Sequence, residues 1–132
     1  MLSSILVKSP IFKLKRPKMM KKLFNALLLS LISFTAFASE RADIGWEWIN
    51  DGALVVDVRT EQEFDAGHLE DALNYPLQNV AYHFAEIDKD QPIVVYCRSG
   101  NRSGQAYNYL VSQGFTQVHN GGGLNEMLDA KQ

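Results

Sequence analysis

The run Ile93-Val94-Val95-Tyr96, followed by Cys97-Arg98-Ser99-Gly100-Asn101-Arg102-Ser103, decides how this chain is read. Its first four residues are apolar without alternation, the pattern of a strand buried on both faces in a parallel sheet. From Gly104 to Gln113 the spacing turns helical. A strand, a tight turn and a helix place the turn at the carboxyl end of the strand, and in open α/β sheets ligands bind at that edge. The same turn holds the chain's one cysteine.

The 132 residues, 46% of them hydrophobic, suffice for one domain with a modest core. The net charge of −2 hides a division. Residues 1–38 carry seven of the thirteen basic residues and no acid. The remainder sets six basic residues against all fifteen acidic ones, a net of −9. An acidic body argues against a nucleic-acid surface. A single cysteine excludes an internal disulfide, so the thiol is either a small buried hydrophobe or a reactive group.

Lys21-Lys22 precede an apolar stretch, Leu23 to Phe37, broken only by Asn25, Ser30, Ser33 and Thr35. It is short for a membrane span and ends in Ala36-Phe37-Ala38, a small-x-small cleavage pattern. Residues 1–38 are therefore expected to be a signal peptide cleaved after Ala38, with an uncleaved anchor as the plainer alternative. Residues 1–18 read as an extension upstream of a start at Met19 or Met20. The expected location is the periplasm, with no stable membrane association after cleavage.

In the body, Asp43 to Asn50 has helical spacing, and its Trp46 and Trp48 suit core packing better than a sugar platform. Ala53 to Val58 is a second buried-strand run. Thr60 and Glu63 form a capping box, and Gly67-His68 ends the helix they start. Asp57 and Arg59 are expected to be a salt-bridged pair that fixes the strand-to-helix turn. Ala72 to Pro76 reads as a short strand stopped by proline. Val80, Phe84 and Ile87 make a helical stripe with His83 on its shoulder. Ala106, Tyr107, Leu110 and Val111 form one helix face, and Gly114-Phe115 suits a left-handed C-terminal cap. Gln117 to His119 is the last strand. Gly121-Gly122-Gly123 requires an unusual backbone path before a helix from Leu124 to Ala130. Strands alternating with helices predict a mostly parallel α/β sheet flanked by helices on both faces.

A thiolate is the nucleophilic form of cysteine, and cations and helix N-termini favour it. Arg98 and Arg102 flank Cys97, and the helix expected after Ser103 offers free N–H groups. Gly100 permits a sharp path, while Ser99, Asn101 and Ser103 add small hydrogen-bonding groups. The turn should form an electropositive bowl for a small anion.

These pieces, in this order, resemble a rhodanese domain over residues 42–130. Val55-Val56-Asp57-Val58-Arg59 resembles the family's first core strand with its Asp-x-Arg. Glu63-Phe64 and Gly67-His68-Leu69-Glu70-Asp71-Ala72-Leu73-Asn74-Tyr75-Pro76 resemble its middle segment, with Glu70-Asp71 where Pro-Gly is commoner. Val94 to Ser103 resembles its active-site strand and loop, and Gly114-Phe115, Val118 and Gly122-Gly123-Leu124 its closing segment. The leader plus one short domain is similar to the small secreted, phage-shock type. The resemblance implies sulfur transfer from an anionic donor such as thiosulfate to a thiol or cyanide through a Cys97 persulfide. The loop Arg98 to Ser103 would bind substrate and persulfide. Asp57, Arg59 and His68 would support the frame, and neither metal nor organic cofactor would be needed. Two rival readings remain open on the residues. A cysteine phosphatase or arsenate reductase places five residues between Cys and Arg, against four between Cys97 and Arg102 here. A non-catalytic rhodanese-like binding module usually lacks the cysteine.

Overall fold

The computed structural model describes residues 40–131, so the leader expected over residues 1–38 lies outside the described residues. Four strands, β1 (Leu54–Asp57), β2 (Leu73–Asn74), β3 (Ile93–Cys97) and β4 (Val118–Gly123), form one sheet in the order β2-β1-β3-β4. Every pairing is parallel. The helices are α1 (residues 40–50), α2 (Glu61–Ala66), α3 (Val80–Phe84), α4 (Asn101–Ser112) and α5 (Leu124–Ala130), with a 3-10 turn at Leu77–Asn79. No helix among the described residues is long and apolar enough to cross a membrane.

β3 lies between β1 and β4 and is buried along its whole length, which is why its sequence lacks polar alternation. Its side chains still alternate between two cores. Val95 and Cys97 join Val56, Val80, Phe84, Ala106, Leu110 and Phe115 under α3 and α4. Tyr96 joins Val55, Ala42, Leu69 and Met127 under α1 and α5, with Trp46 and Ile49 packed against them. Trp46 is a packing residue: its Nε1 donates to the Met127 carbonyl at 2.6 Å and ties α1 to α5.

Local signals act where they were expected. Thr60 and Glu63 form the reciprocal capping box of α2. α4 ends in a Schellman arrangement, with Phe115 N–H on Leu110 O and Gly114 N–H on Val111 O, both at 3.1 Å. The Glu70-Asp71 departure does not abolish its turn. Asp71 takes the left-handed conformation (φ 62°) and Ala72 N–H donates to Leu69 O at 3.1 Å.

Four expectations need correction. α4 begins at Asn101, not Gly104, so the second half of the turn is the first turn of the helix. The polar Asn101-Arg102-Ser103 hides this start, because the first apolar residue of the buried face is Ala106. The buried face of α4 is Ser103, Ala106 and Leu110, while Tyr107 and Val111 are exposed. Ile87 packs on the core but lies beyond the end of α3. The last strand runs on through the three glycines to Gly123, taking up one extra residue against Val95/Tyr96. A Cβ on Gly123 would stand 2.3 Å from the Arg98 carbonyl oxygen. Only glycine lets β4 approach the Cys97 turn this closely.

Candidate active site

Cys97 is the last residue of β3, and the chain turns back over its sulfur before entering α4. Gly100 makes this possible by adopting φ 94°, a left-handed conformation that a side chain would resist. The turn aims the Gly100 N–H at Cys97 Sγ, 3.0 Å away. Ser103 Oγ lies 3.4 Å from the same sulfur and 2.8 Å from Asn120 Oδ1. One hydroxyl proton thus faces two acceptors, and an ionised sulfur competes with Asn120 for it. Burial pushes the thiol up. It is outweighed by the Ser103 hydroxyl and by the backbone N–H groups of Ser103, Ser99 and Gly100, and the net displacement is downward. Hydrogen bonds to the charged form therefore lead in favouring the thiolate, and the charges of Arg41 and Arg102 add to them.

The bowl is more closed than its composition suggests. Cys97 is 1% exposed, because the Ser99–Gly100 segment lies directly on the sulfur. Arg98, Ser99 and Asn101 are exposed, and Gly100 and Ser103 are buried. Beside the loop a cleft of about 250 Å³ is lined by Arg98, Arg59, Glu63, Ala66, Leu124 and Asn125. Arg98 has no salt-bridge partner among the described residues. Arg102 is committed to Glu63 through bonds of 2.8 and 3.1 Å.

Asp57, Arg59 and His68 make no hydrogen bond to the sulfur, although Arg59 lines the cleft beside the loop. Asp57 is fully buried and accepts the Arg59 backbone N–H, Nε and Nη2 at 2.7–3.0 Å. Arg59 Nη2 also donates to Gly67 O at 2.6 Å, and Asn74 Nδ2 donates to the carbonyls of both Asp57 and Arg59. His68 stacks on Phe64 at 3.7 Å, its Nδ1 2.9 Å from the Phe64 carbonyl. These contacts hold the β1–α2 connection and the turn after α2.

The family model for the rhodanese-like domain matches residues 42–130. The chain belongs to the rhodanese-like family. This rhodanese domain is 44% identical over 70 residues to a sulfurtransferase of Allochromatium vinosum, covering 53% of this chain and 65% of that one. It is 42% identical over 79 residues to thiosulfate sulfurtransferase GlpE of Pseudomonas savastanoi pv. phaseolicola, 60% of this chain and 74% of that one. With thiosulfate sulfurtransferase PspE of Escherichia coli K12 it shares 36% identity over 115 residues, 86% of this chain and 97% of the relative. Among solved structures, a rhodanese with anions from E. coli superposes with a TM-score of 0.53 at 36% identity, over 57% of this chain and 91% of that one.

Three residues of this rhodanese site were not singled out from the sequence: Arg41, Asn120 and Glu126. Asn120 accepts from Ser103 Oγ and from Gly122 N–H and donates to Gly100 O, bracing the loop from β4. Arg41 Nε and Nη2 bind the two carboxylate oxygens of Glu126, and Nη2 also donates to Ser99 O at 3.1 Å. Glu126 lies 85 positions from Arg41, and only the folded sheet brings the pair to the loop. Asn120, directly before the three glycines, carried the one weak signal of the three.

Proposed function

We propose that this protein is a thiosulfate sulfurtransferase that carries sulfane sulfur as a persulfide on Cys97. The relatives at 36–44% identity that bear the sulfurtransferase name support the enzyme class. The observation that carries the mechanism is the Cys97 sulfur at the end of the central strand, accepting the Gly100 N–H in a chain of this family.

The Cys97 thiolate attacks the outer sulfur of thiosulfate. The donor's S–S bond breaks, its electron pair departs with sulfite, and the outer sulfur stays on Cys97. A thiol or cyanide acceptor then bonds to that sulfur, and the pair of the persulfide bond returns to Cys97. This is covalent catalysis in two half-reactions. The loop amides are already oriented toward negative charge on sulfur and the Ser103 hydroxyl lies within reach of it, so stabilising that charge requires little reorganisation. Arg98 faces the cleft and is the first group an oxyanion would meet. Arg102 joins it by exchanging Glu63 for the donor, and Arg suits such oxyanions. Because the sulfur is covered, residues 98–100 must yield slightly as substrate enters.

The test is intact mass after thiosulfate treatment. A gain of one sulfur atom on the wild type, absent from Cys97→Ser, is expected. Thiocyanate formation with cyanide should fall at least about 1,000-fold in that variant. An unchanged wild-type mass would remove the persulfide reading.

We also propose export to the periplasm with cleavage after Ala38. The match to PspE is 115 residues long, more than the family model spans, so it extends upstream of residue 42. N-terminal sequencing of the exported protein should begin at Ser39, and an intact leader would overturn the cleavage.

A further inference from the structure

Arg41 is fixed at three points, which sets it apart from an ordinary surface arginine. Its guanidinium pairs with both oxygens of Glu126. Its Nη2 donates to the Ser99 carbonyl at 3.1 Å. Its own carbonyl accepts from His119 Nε2 at 2.7 Å, which ties α1 to β4. Glu126 is held in turn, because its Oε1 accepts the Gly123 N–H at the start of α5. The loop leaves room for this side chain. A Cβ on Gly100 would stand 2.7 Å from Arg41 Nη1, and one on Gly122 2.6 Å from Nε.

The Ser99 carbonyl and the Gly100 N–H belong to one planar peptide unit and point in opposite directions. Arg41 grips the oxygen end of that unit, and Cys97 Sγ accepts from the N–H end. We infer that Arg41, braced by Glu126, is a positioning residue of the sulfur-transfer site, which keeps the Ser99–Gly100 peptide turned so that its N–H faces Cys97. The inference rests on the reading of Cys97 as the sulfur carrier.

Two physical effects follow from this arrangement. A glycine after the peptide removes the steric barrier that would otherwise fix its orientation. A flip would aim the Ser99 oxygen at the sulfur and repel the thiolate. The arginine holds the oxygen outward and opposes that flip. A charged donor on the carbonyl also polarises the amide, so its N–H becomes a stronger donor to sulfur. The Gly100 N–H is among the groups that favour the Cys97 thiolate, and the charges of Arg41 and Arg102 are both coupled to it.

The test is the rate of Cys97 alkylation by iodoacetamide as a function of pH, alongside thiosulfate–cyanide turnover. For Arg41→Gln the rate at pH 7 should fall about fivefold and its midpoint move to higher pH, because less of the thiol is ionised. Arg41→Lys keeps the charge without the planar fork and should recover less than half of the loss. Glu126→Gln leaves Arg41 in place but loosens it, and should give a fall of about twofold in the same direction. It serves as the second readout if Arg41→Gln does not fold. A wild-type profile in Arg41→Gln or in Glu126→Gln would overturn the inference, as would full recovery by Lys, which would reduce Arg41 to a distant charge. Alkylation needs no sulfur transfer. A wild type that reacts readily with iodoacetamide yet gains no sulfur would therefore refute the proposed function, and with it the sulfur-transfer role, whereas an unshifted alkylation profile in Arg41→Gln would refute the hold of Arg41 on the Ser99–Gly100 peptide alone.

Discussion

Two arginine–carboxylate pairs use the same chemistry in different surroundings. Asp57 and Arg59 are two positions apart and almost wholly inaccessible, at 0% and 7% exposure. Glu63 and Arg102 are 39 positions apart, and about a third of each side chain is open, 33% and 32%. Removing one partner of a buried pair strands a charge and costs about 3–5 kcal/mol. A half-exposed pair is worth about 0–1 kcal/mol, because water replaces either partner. The first pair is thus part of the frame. The second can open without unfolding anything, as the proposed binding of the donor by Arg102 requires.

The widest gap between the two pairs should appear in Asp57→Asn. The substitution nearly preserves shape but leaves the Arg59 guanidinium facing a neutral group. A loss of about 3 kcal/mol is expected, a large share of the 5–15 kcal/mol typical of a domain. Urea unfolding would show it as a lower midpoint at unchanged slope. A loss below about 1 kcal/mol would put Asp57–Arg59 in the same class as Glu63–Arg102 and end the distinction.

The same contrast explains what could be read from the sequence. Asp57–Arg59, the Thr60–Glu63 box and the Gly114–Phe115 cap are local, and their partners lie within a few positions. The parallel sheet was legible because an unalternating apolar run such as Ile93 to Tyr96 has few other uses. Cys97 and its loop were legible because one strand–turn–helix contains them. What stayed hidden was assembled by the fold. Glu63 reaches Arg102, and Glu126 reaches Arg41, only when α2, α4, α1 and α5 converge on the end of β3. The cause of the lowered thiol was also hidden. Composition pointed to the arginines, whereas the backbone amides and Ser103 act directly on the sulfur. Backbone direction is set by Gly100, and nothing in a residue list records it.

A kinetic experiment separates the two pairs next. Glu63→Gln keeps the capping box, since Gln serves at that helix position, but frees Arg102 from its counter-charge. If Arg102 exchanges Glu63 for the donor, the thiosulfate KM should fall about two- to fivefold, the equivalent of an exposed pair no longer being broken. Arg102→Ala should move KM the other way. A rise in KM for both variants would mean that Glu63 holds Arg102 in its working position, and the pair would then belong with the frame.

The smallest expected effect is in acid. The Arg102 guanidinium holds the Glu63 carboxyl down at about 2, helped by the Thr60 N–H and opposed by burial. In the unfolded chain a glutamate titrates near 4.3. The folded value is the lower one, so the pair's contribution is complete above about pH 4.3 and is lost as pH falls from there through about 2. Solvent around the half-exposed pair limits that contribution to less than about 1 kcal/mol. Urea midpoints at pH 5.5 and pH 3 would measure it, with Glu63→Gln as the reference. Glu63→Gln lacks the carboxyl that titrates, so the extra acid loss in the wild type is the part assigned to Glu63. Parallel losses would mean that Arg102 and Glu63 are apart in solution, and Arg102 would then already be free to meet an anion before any exchange.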